Sequence, residues 1–547
     1  MIEWIKVQAI KAPFSKWIVM DKGVHLMPEQ YTPYAKNIRI KSWTTTKRNG
    51  YVRVVSPESE FVDDDEIVIV PDIPLNSDDN DSSNDTPAFE NYPIDNMISD
   101  WTDLYVLSDE KLYKVDFNTD LSMTRYTNLT FDANPYLIRC WKYLIFLSEN
   151  TNKWYYLDTS AWTWWALTIT DNAKFRFWEM YKQQLYLAWW GSNSNVLYGS
   201  RSYKYTSPSD VLDFDGDWSQ QLMFSSKIMW LSAIREQLFV FTENTIEILN
   251  QSDAEWWIIA DYSIPIAGSN QPANPRMVVK ADDMVFFWTK ENQMKSLNYM
   301  QWVTESVVWD ISHRQNLSIK DFTETLDEDQ STSFGYYNRT NKTIHWHLKQ
   351  RGEPLPNIVL VYDVNTDSFF LDTNKYFSCV AEHKNKYYWG SLFGAIVYED
   401  DTWPTDDGIA IEWERDSALL SVGSPVYRKE FREINIYWEK DDDVDINVSV
   451  LVDGKTVFEW TIKASWWSIS WFGSRSIAEK PIAFETEKAT TKPFEYIITR
   501  WNLRNRWKKV QVIFKWSSNW DFCLSGMEIW YKDLYDNKME DKAKPNT

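Results

Sequence analysis

A recurring hairpin constrains this chain more than any other feature of its sequence. The unit is an aromatic-aliphatic strand, a polar turn and a second alternating strand. It is read at Leu104–Leu107 with Leu112–Val115, at Leu144–Leu147 with Tyr155–Leu157, and at Leu185–Leu187 with Val196–Tyr198. It returns at Leu238–Phe241 with Ile246–Leu249, and further copies start near Val285, Phe334 and Tyr387. The intervals, about 40 to 54 residues, are the length of one four-stranded propeller blade. Radial closure buries one face of each blade against the next, so weakly similar repeats suffice. The expectation is therefore an all-β chain with a six- or seven-bladed β-propeller over residues 96–407. The Gly-His…Trp-Asp pairing of WD40 repeats is missing, and Trp309-Asp310 stands alone.

The flanks read differently. Residues 1–56 are expected to supply strands that complete or brace the propeller. Residues 57–95, with Asp63-Asp64-Asp65-Glu66 and the run Ser77 to Asp85, are polar and acidic enough to form a solvated, flexible loop. From about Gly408 the blade rhythm stops and longer alternating strands follow, at Glu433–Tyr437, Val444–Leu451, Lys509–Phe514 and Met527–Tyr531. Asp453-Gly454 is a hairpin turn signal. Residues 408–533 are thus expected to form an antiparallel β-sandwich, and the charged tail 534–547 to be disordered.

Composition narrows the function classes. No run of eighteen apolar residues occurs, so no membrane insertion is expected. Charges in Met1-Ile2-Glu3-Trp4-Ile5-Lys6 argue against a secretory signal. Cys140, Cys379 and Cys523 lie too far apart for a disulfide framework or metal-ligand spacing and are read as isolated buried thiols. The net charge of −22 repels phosphate, which argues against sequence-reading nucleic-acid binding.

One count is abnormal: 33 tryptophans against 15 glycines, where glycine normally supplies about 7% of residues. Trp43, Trp154, Trp218 and Trp520 sit in polar turn contexts where glycine or asparagine is wanted. This pattern results if UGA codons that a genome reads as glycine, an alternative genetic code found in some uncultivated bacteria and their phages, are translated as tryptophan. A chain that uses tryptophans as aromatic anchors is the competing explanation.

Candidate chemistry is thin. His345-Trp346-His347 places two imidazoles on one strand face, with Ile344, Trp346 and Leu348 on the other. No third metal ligand is visible, and a solvent-facing pair is expected. Asp213-Phe214-Asp215-Gly216-Asp217 resembles part of a calcium loop, but Phe224 stands where an EF-hand needs glutamate, so an Asp-rich turn is expected. No nucleophile elbow, phosphate-cradling glycine loop or zinc helix occurs, and no spacing marks a glycosidase carboxylate pair. No catalytic, cofactor-binding or metal residues are assigned, no cofactor is implied, and the chain is expected not to be an enzyme.

The N-terminal stretch carries a resemblance. Pro13–Val19, then Ala35-Lys36-Asn37-Ile38-Arg39-Ile40, then Thr46-Lys47-Arg48-Asn49-Gly50-Tyr51 resemble the opening of tailed-bacteriophage virion proteins, with Trp43 where that pattern has glycine. Residues Leu185 to Ile248, including Ser207–Asp210, Asp213–Asp217, Ile228–Ala233 and Leu238–Ile246, are similar to phage propeller proteins, and Phe514–Tyr531 to their terminal sandwich. The resemblance is to the family variously called tail nozzle, tail hub or packaged-DNA stabilisation protein. It implies a homo-oligomeric ring below the portal and its adaptor, part of the neck or tail of a virion assembled in the host cytoplasm. DNA would pass through transiently and without sequence preference, and an acidic lumen would keep it from sticking. The alternatives are a receptor- or glycan-binding tail propeller using exposed aromatics, and an extracellular carbohydrate-active enzyme.

Overall fold

The computed structural model describes residues 6–11, 34–41 and 44–55, the strands and adjoining turns of 94–200, and residues 212, 214 and 220–251 apart from 235–236 and 244. It also describes 258–265, 272–298, 308–310, 320–391 apart from 367, 394–400, 405–406, 409–417 and 420, and the strands within 428–534. The acidic stretch 57–93, the tail 535–547 and the turn tryptophans Trp43, Trp154, Trp218 and Trp520 lie outside these residues.

Six consecutive four-stranded antiparallel sheets follow one another. Blade 1 is Ile94–Ser99, Leu104–Ser108, Lys111–Asp116 and Ser122–Arg125. Blade 2 is Tyr136–Cys140, Tyr143–Leu147, Tyr155–Asp158 and Thr163–Ala166. Blade 3 is Lys174–Tyr181, Gln184–Trp190, Val196–Gly199 and Gln220–Met223. Blade 4 is Ile228–Ile234, Gln237–Thr242, Thr245–Gln251 and Ile258–Pro265. Blade 5 is Val278–Ala281, Met284–Trp288, Met294–Asn298 and Val308–Asp310. Blade 6 is Phe334–Asn338, Thr343–Leu348, Ile358–Asp363 and Ser368–Thr373.

The seventh blade is assembled from two distant parts of the chain. Phe377–His383, Lys386–Ser391 and Ile396–Asp400 are completed by a strand from the N-terminal region, Gly50–Val55. Five N-terminal strands can now be named: β1 (Lys6–Lys11), β2 (Ala35–Lys36), β3 (Ile38–Lys41), β4 (Thr44–Lys47) and β5 (Gly50–Val55). Only β5 joins the propeller. The blade count is therefore seven, and a strand from one end clasps a blade from the middle of the chain.

Each blade presses both faces against neighbours, and this sets the burial pattern. Leu104–Ser108, Val196–Gly199 and Thr343–Leu348 are buried at every position. Separate apolar clusters fill the seams. Tyr105, Leu107 and Leu112 meet Leu137, Leu144 and Phe146 between blades 1 and 2, and Phe177, Tyr186 and Leu197 meet Leu231, Leu238 and Val240 between blades 3 and 4. Ile94, Met97 and Leu104 meet Cys379, Ala381 and Tyr388, so blade 7 packs on blade 1 and the ring closes.

The recurring hairpin is the second and third strand of a blade in the four copies paired above, and the starts near Val285 and Tyr387 also fall on second strands; the sixth copy differs. There Phe334–Tyr337 falls on the first strand, and the strand equivalent to the other copies is Thr343–Leu348. Turns compensate for scarce glycine. Among the described residues nine non-glycine positions hold positive φ, among them Glu110, Lys182, Asp282 and Asn292. Lys384 and Asn385, at φ 49° and 63°, make a two-residue hairpin turn between His383 and Lys386. None of the nine is tryptophan.

Beyond Thr405 the strands form two further antiparallel sheets. One runs β3, β4, Phe522–Leu534, Arg428–Lys440, Phe494–Thr499, with β1 also paired to Phe522–Leu534. The other runs Ile409–Asp416, Val510–Ser518, Asp445–Val452, Lys455–Lys463, with β2 on Ile409–Asp416. Val452 pairs with Lys455, so Asp453-Gly454, outside the described residues, joins two strands of one hairpin. Thr405–Asp406 pairs with β5 on one side and Ile409–Asp416 on the other, carrying the seventh blade into this second sheet. The apolar cluster between blades 5 and 6, around Trp288 and Trp346, runs on through Phe370 to Trp413, Val448, Val512 and Phe514.

Candidate functional site

The buried charges of the described chain concentrate where the N-terminal strands meet blade 6, blade 7 and the second sheet. Asn37, between β2 and β3, sits at φ 54°, a region asparagine tolerates. Its Nδ2 donates to the Thr373 hydroxyl at 3.1 Å and to the Glu412 carbonyl at 2.6 Å. Its Oδ1 accepts from Arg48 Nε at 3.1 Å and from the Thr373 amide at 2.9 Å. One buried amide thus ties the end of blade 6, the strand Ile409–Asp416 and the turn before β5.

Two ion pairs flank it. Arg39 donates to both oxygens of Asp372, each at 2.6 Å, and Lys375 approaches the same carboxylate at 3.2 Å. Burial alone would raise the Asp372 carboxyl; Arg39 and Lys375 outweigh it and hold it well below the usual carboxylate range. Arg48 makes a two-pronged pair with Asp406, one arm at 2.7 Å, and although burial disfavours its charge, Asp406 keeps it protonated. Breaking such a pair from one side strands a buried charge, at about 3–5 kcal/mol. Nearby, Arg415 is fully buried and donates to Thr45 Oγ1 at 2.9 Å; burial lowers its pKa to about 9 and raises that of Asp416 to about 7.

Gly50 opens β5 at a point of close approach: a Cβ there would lie 1.9 Å from the Thr405 carbonyl oxygen. Tyr51 then packs edge-on against Phe377 of blade 7 at 5.4 Å. Of the residues that carry the N-terminal resemblance, Asn37, Arg39, Arg48, Gly50 and Tyr51 therefore meet in one place, while Pro13–Val19 lie outside the described residues. Spacing along the sequence did not announce this, because their partners lie more than 330 positions away.

The histidine pair departs from expectation. His345 and His347 are buried, at 2% and 0% exposure, rather than solvent-facing. Ile344, Trp346 and Leu348 do form one apolar face, toward blade 5, but the histidine face is covered by blade 7. Alternation predicts a wet face only for a sheet with one open side, and a propeller blade has none. His347 stacks on Phe334 at 4.4 Å and lies 5.2 Å from Trp389; His345 lies 4.6 Å from Tyr336. Burial holds both imidazoles neutral, well below their ordinary pKa.

The remaining candidates are scattered. Of the Asp-rich turn only Leu212 and Phe214 are described; both are buried in the seam of blades 2 and 3, while Asp213 and Asp215–Asp217 lie outside the described residues. Cys140 and Cys379 are buried free thiols pushed up to about 12 by burial, which leaves them poor nucleophiles. Cys523 lies on Phe522–Leu534, and its side chain is outside the described set. Among the described residues no three His, Cys, Asp or Glu cluster as metal ligands, and no helix is long and apolar enough to cross a membrane. Glu179, on the first strand of blade 3, is raised to about 7 by burial, partly offset by Lys280 of blade 5. An open cleft of about 760 Å³ on the second sheet is lined by Asn447, Ser449, Leu451, Glu459, Thr461 and Lys515.

No known protein family matches the sequence, and a search of curated proteins finds no relative. Among solved structures, virginiamycin B lyase from Staphylococcus aureus is 12% identical, covering 56% of this chain and 94% of its own, at a TM-score of 0.38. The WD40 domain of Neurospora crassa Pan2 is 10% identical over 57% and 90%, at 0.34. PorZ, a surface component of the type-IX secretion system of Porphyromonas gingivalis, is 10% identical over 68% and 45%, at 0.35. Likeness this shallow carries no function, and the assignment rests on strand pairing within the chain itself. That pairing makes the protein an all-β chain, a seven-bladed propeller continued into antiparallel sheets.

Proposed function

We propose that the chain is a structural component of a tailed-phage particle, several copies forming part of the neck or tail ring through which DNA passes. The observation that carries this reading is the use made of the N-terminal motif. Asn37, Arg39, Arg48 and Gly50, which bear the resemblance to phage neck and tail proteins, are spent on joining the ring to the sheets beside it, and Tyr51 on seating β5 in blade 7. A motif that locks modules together suits a part that must stay rigid while DNA moves past. The net charge of −22 favours the same role, since like-charge repulsion lowers adhesion of a passing polyanion. Portal and adaptor proteins would be its neighbours, and the virion its location. The role is structural rather than catalytic.

The glycan-binding alternative gains nothing here: among the described residues Met223 and Tyr376 are the exposed large hydrophobics. We read the turn tryptophans as recoded glycines; UGG codons at Trp43, Trp154, Trp218 and Trp520 would end that reading. For the ring, the purified full chain is examined by sedimentation and electron microscopy, and by duplex DNA retention at about 0.15 M salt. A closed oligomer with an acidic lumen that does not retain DNA is expected. A monomer at micromolar concentration, or a ring with a neutral or basic lumen, overturns the proposal.

A further inference from the structure

The chain has five histidines, and the three that are described, His345, His347 and His383, all lie on the two seams of blade 7. His345 and His347 face it from blade 6. His383 sits on its own first strand and faces blade 1, where Nδ1 meets Ser99 Oγ at 2.7 Å and the ring stacks on Phe117 at 5.0 Å. Four ring nitrogens have no hydrogen-bond partner: His345 Nδ1, both nitrogens of His347, and His383 Nε2. A charged imidazole must place two N–H donors. Thr343 Oγ1 meets His345 Nε2 at 2.8 Å and Ser99 Oγ meets His383 Nδ1, but the cages of Phe334, Tyr336, Phe377, Trp389, Phe117 and Tyr388 give the other four nitrogens no hydrogen bond.

The surrounding charges do not help. Among the described residues Lys375 and Arg39 oppose charging of the blade 6 pair, and Asp372, the carboxylate that favours it, is already held by both. Tyr336 and Tyr387 face the same seam, with Glu399 acting on Tyr336. Around His383, Lys384 opposes protonation while Asp100 and Asp103 favour it; Asp103 is paired with Lys114 at 2.8 Å and Asp100 accepts from its own turn amides. Blade 7 is also the blade whose outer strand is borrowed. β5 is separated by more than 340 positions from Ile396–Asp400, the strand it pairs with.

We propose that blade 7 is a proton-released clasp: acid charges the histidines on its two seams and frees β5, opening the ring at one blade. The linkage has a definite sign. All three imidazoles are held below their ordinary 6.5 in the closed ring, so the open form binds more protons. Stability of the closed form is complete above 6.5 and falls as pH drops below it. For each imidazole that stays neutral when closed, the open-to-closed ratio rises about thirtyfold at pH 5. Glu179 and Asp416, raised to about 7, act in the opposite direction over the same range, so the comparison must be between wild type and histidine variants at each pH.

The test is hydrogen–deuterium exchange on the full chain at pH 7 and pH 5, corrected for intrinsic rates. Peptides covering 50–55 and 396–400 are expected to lose protection by at least about tenfold at pH 5, while those of 237–251 in blade 4 hold. The variant His345→Gln with His347→Phe keeps the stack on Phe334 without a titratable pair and is expected to lose most of this response. Equal protection at both pH values, a uniform loss across all blades, or an unchanged response in the variant each overturn the clasp. If that variant does not fold, His383→Gln and histidine NMR titration of the wild type decide. Ordinary titration near 6.5 by all three rings refutes the proposal, and depressed titration coupled to β5 exchange supports it.

Discussion

Two seams of one ring are built on different physics. Between blades 3 and 4, Phe177, Tyr186, Leu197, Leu231, Leu238 and Val240 make a contact whose stability comes from area and fit, with one buried carboxyl, Glu179, held against the Ala233 amide. Between blades 6 and 7 the apolar residues Phe334, Tyr336, Phe377, Trp389 and Val397 share space with two imidazoles, beside the buried Arg39–Asp372–Lys375 cluster. Both seams join blades consecutive in sequence, and every strand of the first comes from its own stretch of chain. The second must also specify which distant strand completes blade 7 and where the second sheet docks. Directional, bidentate contacts do that better than grease, at a cost in desolvation.

The contrast can be broken from either side. Asp372→Ala leaves Arg39 and Lys375 buried without their carboxylate, and is expected to lose about 3–5 kcal/mol in urea unfolding, with β5 and the second sheet affected first. Leu231→Ala in the apolar seam should cost about 2–5 kcal/mol by cavity formation, with the same loss at pH 5 and pH 7 once Glu179 of that seam is replaced by glutamine. A pH-dependent loss there would erase the distinction between the seams.

Glu179→Gln probes a subtler difference. Because burial raises this carboxyl to about 7, the folded form holds more protons than the unfolded chain. Its contribution is favourable near pH 4.5 and fades as pH rises through 7. Melting temperatures of wild type and variant should therefore diverge with rising pH, the variant becoming relatively more stable; parallel curves would refute the raised carboxyl. The smallest effect is expected for Lys342→Ala, which removes an exposed pair with Asp282 at 2.9 Å and should change unfolding free energy by about 0.2–1 kcal/mol.

Much of the ring was legible because its central strands are apolar on both faces, so a hairpin of aromatic and aliphatic residues repeats audibly against polar turns. The sixth copy slipped by one strand because Phe334–Tyr337 carries the same aromatic signal as the strand after it. The histidines were misplaced for a related reason. Period-two alternation says which residues share a face but not whether that face is wet. The turn at Lys384-Asn385 went unread because its positive φ values are filled without glycine.

Sequence alone determined the all-β character, the blade-length repeat, the change of rhythm after the propeller and the acidic balance, because each depends on local pattern or composition. The tertiary structure decided what depends on residues far apart. It made β5 the closing strand of the seventh blade, gave β1 to β4 to the neighbouring sheets, and gathered Asn37, Arg39 and Arg48 onto Asp372, Thr373 and Asp406. It also turned the outward-looking histidines inward. The physical reason is that strand pairing and charge burial are settled by which surfaces exclude water together, and in this closed ring those surfaces come from parts of the chain more than 330 positions apart.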